Sequence, residues 1–276
     1  MGRNAMIRNC SFFVLALTLW PLPAAADQIG VVLMHGKQSA PDQHASLAGA
    51  IADAGFATDV PEMCWSFRRI YDRIYGDCLR EIDDAITRLK QKGATAFVAA
   101  GHSLGANAAL AYGAMNKGLK GVIALAPGHR PEILSRRPEV ADALEYARKR
   151  VTAGSGDAPV SHFVDFNGSL QVRLFTTPNI YLSFLAPDSP AVMPNNAARL
   201  TAPLLYVVGT GDPLQSGPDE IFAKAPPHPL NRYVTVRAGH FDTSAASAPA
   251  VVGWLKEIAK TASPVTPAGS ARPPPR

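Results

Sequence analysis

The chain has 276 residues, 47% of them hydrophobic, and a formal net charge of +5. That length and composition suit one good-sized α/β core, and no second composition regime marks another such domain. Two of the charges, Arg3 and Arg8, lie in a segment expected to be removed, which leaves +3; no basic face interleaved with aromatics remains, so nucleic acid is not an expected partner.

The first 26 residues read as a signal peptide. Arg3 and Arg8 form the positive region, Cys10 to Trp20 the apolar one, and Pro21 and Pro23 end it. Ala24-Ala25-Ala26 supplies a small-residue site with cleavage before Asp27. The apolar run is too short to span a bilayer comfortably, so no stable membrane insertion is expected after cleavage. The mature chain is expected in the periplasm or outside the cell. Its two remaining cysteines, Cys64 and Cys78, read as a disulfide in an oxidising compartment, the alternative being two buried thiols. They are too few for a metal site.

Ile29 to Met34 is an apolar run of strand length, ended by His35-Gly36-Lys37. Asp42 to Ala54 has helical spacing, and Phe56 to Pro61 resumes as a short strand. Met63 to Gly76, rich in aromatics and arginine, reads as an excursion rather than a core element, with its arginines at the surface or at the entrance of a site. Asp77 to Lys92 is an amphipathic helix.

The stretch around which the chain is organised follows. The strand Phe97 to Ala100 runs into Gly101-His102-Ser103-Leu104-Gly105, and an alanine-rich helix runs out to Asn116. Gly-x-Ser-x-Gly between strand and helix is a sharp turn. It holds a serine hydroxyl exposed at its tip and aims the next N–H at the site of a developing oxyanion. The competing reading is an ordinary serine at a helix N-terminus.

Gly121 to Ala126 is the next buried strand and Pro138 to Val151 a helix. Ser155 to Leu200 is irregular; Val172 and Leu174 alternate like a strand, and Ile180 to Leu185 fits helix or strand. Pro203 to Val208 is a buried strand ending in Gly209-Thr210-Gly211-Asp212. Asp219 to Ala225 is expected as a helix, Tyr233 to Val236 as a strand ending in Ala238-Gly239-His240-Phe241, and Ala248 to Lys260 as the last helix. Thr261 to Arg276 reads as a disordered Pro/Ala-rich tail.

Six continuously apolar strands alternating with helices predict a mostly parallel, doubly wound sheet with helices on both faces. In such sheets, functional groups gather at the carboxyl ends of the strands. Four of those ends carry His35-Gly36-Lys37, Ser103, Asp212 and His240. A serine hydroxyl needs a base, and histidine, with an ordinary pKa of about 6.5, is suited when neutral. That base needs a carboxylate to fix its tautomer.

On these motifs the stretch from Ile29 to Lys260 resembles the α/β-hydrolase superfamily, whose members carry serine, acid and histidine in this order. The resemblance implies Ser103 as nucleophile, Asp212 as acid and His240 as base. It implies an oxyanion hole from the backbone N–H groups of Lys37 and Leu104, with Gly36, Gly101 and Gly105 shaping loop and elbow. It implies no metal or organic cofactor. The chain departs from larger members in lacking two leading strands and the Gly-Gly-Gly run of many lipases. Gly128 to Leu200 falls where the superfamily inserts its cap. Its Phe163, Phe166, Phe175, Tyr181, Phe184 and Met193 suit either an acyl pocket or the cap's own core.

Asp212 also fits a turn with Pro213, and Asp219 is the reserve acid, although it reads as a helix N-cap. His35 is expected to shape its loop and His102 to pack. His129 either supports its loop or touches substrate, and the Lys37 side chain is expected in solvent. The chain is therefore expected to be a serine hydrolase cleaving a carboxylic ester or related acyl bond of a small molecule. The alternatives are amide, thioester or peracid chemistry on the same residues, or a non-catalytic binding protein on the same fold.

Overall fold

The computed structural model describes residues 28–261. The expected signal peptide and all but the first residue of the expected tail lie outside the described residues. Six strands form one sheet in the order β2-β1-β3-β4-β7-β8. They are β1 (Ile29–Met34), β2 (Ala57–Asp59), β3 (Ala96–His102), β4 (Gly121–Leu125), β7 (Leu204–Gly209) and β8 (Arg232–Val236). Every pairing is parallel.

Their composition explains the layers. Alternate side chains of a strand face opposite sides, so a strand apolar at every position needs cover on both. Val31 and Leu33 face α1 (Ala45–Asp53) and α9 (Ala248–Ala259), with Leu47, Ile51, Trp254 and Leu255 in the same core. Val32 and Met34 face the other core with α2 (Tyr75–Gln91) and α3 (Leu104–Met115). From Leu104 to Gly113 every residue of α3 is buried. Its small residues let it lie close to the sheet while the segment between β4 and β7 packs over it.

That segment holds α4 (Pro131–Leu134), α5 (Pro138–Thr152), an antiparallel hairpin of β5 (Val160–Asn167) and β6 (Leu170–Thr176), α6 (Pro178–Leu185) and α7 (Met193–Ala197). Ile180 to Leu185 is thus helical: Pro178 opens α6, and the Thr177 hydroxyl accepts the Ile180 N–H at 3.2 Å. Phe163, Tyr181, Phe184 and Met193 are fully buried in the core shared with α3, whereas Phe175 is 66% exposed.

Two local expectations fail. Asp219 to Ala225 is not a helix: only Phe222–Lys224 makes a single 3-10 turn, and Asp219 is exposed with no helix to cap. Pro218 and the Pro226-Pro227 pair leave too few residues between them to offset the cost of helix nucleation. The excursion from Met63 to Gly76 is in large part core. Trp65, Tyr71 and Tyr75 are buried in it, while Arg68 and Arg73 face solvent and Arg69 pairs with Asp72 and Glu81.

A disulfide joins Cys64 to Cys78, 14 residues apart, and ties this excursion to α2. Closing a loop of that length contributes about 3 kcal/mol by the chain-entropy argument. A Cys64→Ala/Cys78→Ala variant should lose about that much in urea unfolding. Unchanged stability would count against the bridge. α8 (Thr243–Ala246) completes the chain between β8 and α9.

Candidate active site

The strand order places the site. The chain steps outward from β1 to β2 and then returns past β1 to β3, so the crevice between β1 and β3 is the topological switch point. Met34 is in register with Gly101, which sets the loop after β1 beside the turn after β3. Gly36 and Ser103 are neighbours for this reason: a Cβ at Gly36 would lie 3.4 Å from Ser103 Cβ.

Ser103 has φ 55° and ψ −114°, a backbone state that L residues rarely adopt and that costs about 1–3 kcal/mol. Crowding around the turn explains the flanking glycines. A Cβ at Gly101 would lie 2.3 Å from the Gly105 backbone, and one at Gly105 2.3 Å from the Met34 carbonyl oxygen. The Ser103 N–H donates to the Leu125 carbonyl at 3.0 Å, which pins the turn to the end of β4.

The loops after β7 and β8 bring the other two groups. His240 Nε2 lies 3.0 Å from Ser103 Oγ, and His240 Nδ1 lies 2.7 Å from Asp212 Oδ2. The second Asp212 oxygen, Oδ1, accepts the Leu214 N–H at 2.8 Å. An ionised Asp212 accepts at both oxygens, so the proton of a neutral His240 resides on Nδ1. Nε2 then presents a lone pair to the serine hydroxyl. Ser103 is 7% exposed and Asp212 2%. The expected exposed serine is therefore enclosed, because the His240 loop and Gly128 close over the turn.

Two further groups hold this arrangement. The His102 ring donates from Nε2 to the His240 carbonyl at 2.8 Å, which leaves its Nδ1 to accept from Gln43 Nε2 at 3.1 Å. Gln43 Oε1 in turn accepts the Gly36 N–H at 2.8 Å. One chain of hydrogen bonds thus joins the loop after β1 to the backbone of His240. His35 shapes that same loop: its Nε2 accepts the Met63 N–H at 3.0 Å and its carbonyl accepts from Trp65 Nε1 at 2.9 Å. Gln38, in the left-handed region at φ 52°, donates its N–H to the Trp65 carbonyl at 2.9 Å. Between them, the Lys37 N–H finds no intramolecular acceptor among the described residues, and neither does the Leu104 N–H.

The Lys37 side chain departs from expectation. It is buried, with Nζ 2.7 Å from Asp165 Oδ2 and donating to the Phe166 carbonyl at 2.9 Å. Tyr71 donates to the same Asp165 oxygen at 2.7 Å. The β5–β6 hairpin folds over the loop after β1 and encloses the lysine stem, and the carboxylate offsets the cost of burying the ammonium. Burial pushes the Asp165 carboxyl up, but the Lys37 ammonium and the Tyr71 hydroxyl together hold it below the usual range. Nothing in the sequence signals this pair, because the partners, Lys37 and Asp165, are separated by nearly half of the chain.

His129, at φ 61°, donates from Nε2 to the Phe184 carbonyl at 2.9 Å, and its Nδ1 is buried without a partner among the described residues. It lines a cavity of about 260 Å³ with Lys37, Gly128, Leu134, Phe166 and Leu214. A Cβ at Gly128 would lie 2.7 Å from Ser103 Oγ, so Gly128 is the wall between this cavity and the serine hydroxyl.

Burial holds three histidines neutral. It pulls His102 and His129 down to about 3 and His44 to about 4. The unfolded chain binds these protons at the ordinary value of about 6.5 and the folded chain does not. Their contribution is complete above pH 6.5 and is lost as pH falls toward 4 for His44 and toward 3 for His102 and His129, at up to about 1.4 kcal/mol per pH unit for each histidine. Urea unfolding should therefore show lower stability at pH 5 than at pH 7. A flat profile would mean that these rings are not buried as neutral groups.

The comparisons with known proteins agree with this architecture. A model described as "Alpha/beta hydrolase family" matches residues 31–252. The fold is similar to that of LipS and LipT, two metagenome-derived lipolytic enzymes, at 15% identity, covering 86% of this chain and 95% of the other with a TM-score of 0.59. It is similar to the monoacylglycerol lipase of Paleococcus ferrophilus at 20% identity, 83% and 94% coverage and a TM-score of 0.58. A thermophilic esterase from Thermogutta terrifontis matches at 17% identity, 85% and 92% coverage and a TM-score of 0.53. At these identities the likeness is one of fold. No curated protein matches the chain by sequence.

Proposed function

Since the chain belongs to the alpha/beta hydrolase family, we propose that it is a serine hydrolase that cleaves a carboxylic ester or a related acyl bond. The observation that carries this reading is the unbroken line Ser103 Oγ, His240, Asp212, at 3.0 and 2.7 Å. Ser103 attacks the carbonyl carbon while His240 Nε2 takes its proton. The oxyanion that forms is held by the backbone N–H groups of Lys37 and Leu104, neither of which has an intramolecular acceptor among the described residues. His240 returns the proton to the leaving group, and water attacks the acyl-enzyme in the reverse sense. Asp212 stays ionised and keeps the imidazole in the tautomer that both steps require.

The residues from 128 to 200 act in this proposal as a cap. They wall the cavity beside Ser103 and supply Asp165 to Lys37, whose N–H is one of the two donors. The cavity holds a short acyl chain or another compact group, since ligand pockets more commonly span about 300–1,000 Å³. Mapping a fluorophosphonate adduct by mass spectrometry tests the reading. The expected adduct is on Ser103 alone. An adduct on another residue, or none on folded protein, would overturn the assignment.

We propose further that the protein is exported and loses its first 26 residues. The Cys64–Cys78 bridge suits an oxidising compartment, and no helix among the described residues is long and apolar enough to cross a membrane. Intact mass of the exported protein should place Asp27 at the N-terminus. Full-length chain retained in the membrane fraction would refute cleavage.

A further inference from the structure

The cavity behind Ser103 carries an asymmetry of charge that the acyl-transfer reading leaves unused. Three cationic side chains, Lys37, Arg130 and Arg137, line it, and no Asp or Glu does. Two of them are already neutralised. Lys37 sits 2.7 Å from Asp165, and Arg130 is held between Glu132 at 3.1 Å and Glu220 at 2.6 Å. Arg137 is different. Among the described residues it has no carboxylate partner, yet its guanidinium is held in place, 4.0 Å from the centre of the Phe166 ring. A guanidinium stacked on an aromatic face keeps its donor edge free and loses less freedom when it takes a planar anion. Phe166 is itself fixed, because its N–H donates to Asp165 at 2.6 Å and its carbonyl accepts from Lys37 at 2.9 Å. The carboxylate that holds Lys37 and the ring beneath Arg137 therefore belong to adjacent residues of β5, Asp165 and Phe166.

We propose that the site takes esters bearing a carboxylate away from the scissile bond, and that Arg137 receives this carboxylate across the face of Phe166. The inference rests on Ser103 being the nucleophile and deepens that reading by assigning a substrate class. A carboxylate presents two coplanar oxygens to the two edge donors of arginine, a match that a neutral chain end of the same size lacks. The two remaining cations of the wall do not compete for it, since each already has a carboxylate.

The test compares shape-matched esters on the full mature chain. On the acyl side the pair is p-nitrophenyl hydrogen adipate and p-nitrophenyl 6-methylheptanoate, in which an isopropyl end replaces the carboxylate. On the alcohol side it is 4-acetoxybutanoate and 4-methylpentyl acetate. In at least one pair, kcat/KM should favour the carboxylate by about ten-fold, the size expected of one charge-assisted contact. Arg137→Met keeps an apolar stem over Phe166 and should bring that ratio close to one. Arg136→Met, a change at the adjacent arginine, which is likewise exposed but does not line the cavity, should retain it. The inference is overturned if neither pair favours the carboxylate or if the preference survives in Arg137→Met. Equal loss in Arg136→Met also overturns it, because a diffuse surface charge would then be responsible. Fluorophosphonate labelling separates the two levels: a labelled enzyme without the preference sinks the substrate class alone, and an enzyme that takes no label sinks both.

Discussion

Ser103→Ala should lower kcat by roughly 10⁶ while leaving a folded protein. The hydroxyl is the atom that would form the acyl bond, and among the described residues it is the hydrogen-bond partner of His240 Nε2. The residual rate should remain above that in water, because the donors proposed for the oxyanion are backbone N–H groups of Lys37 and Leu104, which the substitution does not remove. The structural cost is small. The change removes one oxygen and its 3.0 Å contact with His240, worth about 0.5–1.5 kcal/mol. The glycines that permit the turn are untouched. Steady-state rates on a short-chain ester, with urea unfolding beside them, read both quantities. A variant that keeps more than a few per cent of the rate would show that Ser103 is not the nucleophile.

Asp212→Asn should cost about 10⁴ in kcat, and the hydrogen bonds explain why so isosteric a change is so damaging. Oδ1 accepts the Leu214 N–H and Oδ2 accepts from His240 Nδ1. An asparagine keeps its carbonyl on the Leu214 N–H and turns its amide group toward the ring. His240 Nδ1 must then accept, the proton moves to Nε2, and Nε2 can no longer take the serine proton. Asp219→Asn is the control. Asp219 is exposed and in no contact with His240, so the rate should change little. If Asp219→Asn is the crippling change and Asp212→Asn the mild one, the acid has been misassigned.

The two aspartates show how local sequence can mislead and position correct it. Read locally, Asp212 looks like a turn residue before Pro213 and Asp219 like a helix cap. Only the order of motifs along the chain favours Asp212, and the fold then sets it 2.7 Å from the imidazole. The helix expected after Asp219 fails because three prolines crowd a short stretch, a competition between local terms that periodicity ignores. The aromatic excursion from Met63 to Gly76 misleads for the opposite reason. Its composition looks like surface, yet the disulfide and the indole N–H of Trp65 draw its aromatic side chains inward.

The sheet and the elbow follow from local sequence. Continuous apolar strands require cover on both faces, and a strand-to-helix turn too tight for a Cβ requires glycine. Both are local constraints that a short window of residues expresses. Tertiary structure alone decided what surrounds the elbow. The Lys37–Asp165 pair, the Gln43–His102 relay to the backbone of His240 and the stacking of Arg137 on Phe166 join residues that are far apart or carry no motif. A buried charge is stable only beside a partner of opposite sign, and which carboxylate meets Lys37 depends on how the β5–β6 hairpin packs across the loop after β1. No periodicity encodes that meeting; it exists only once the chain has folded.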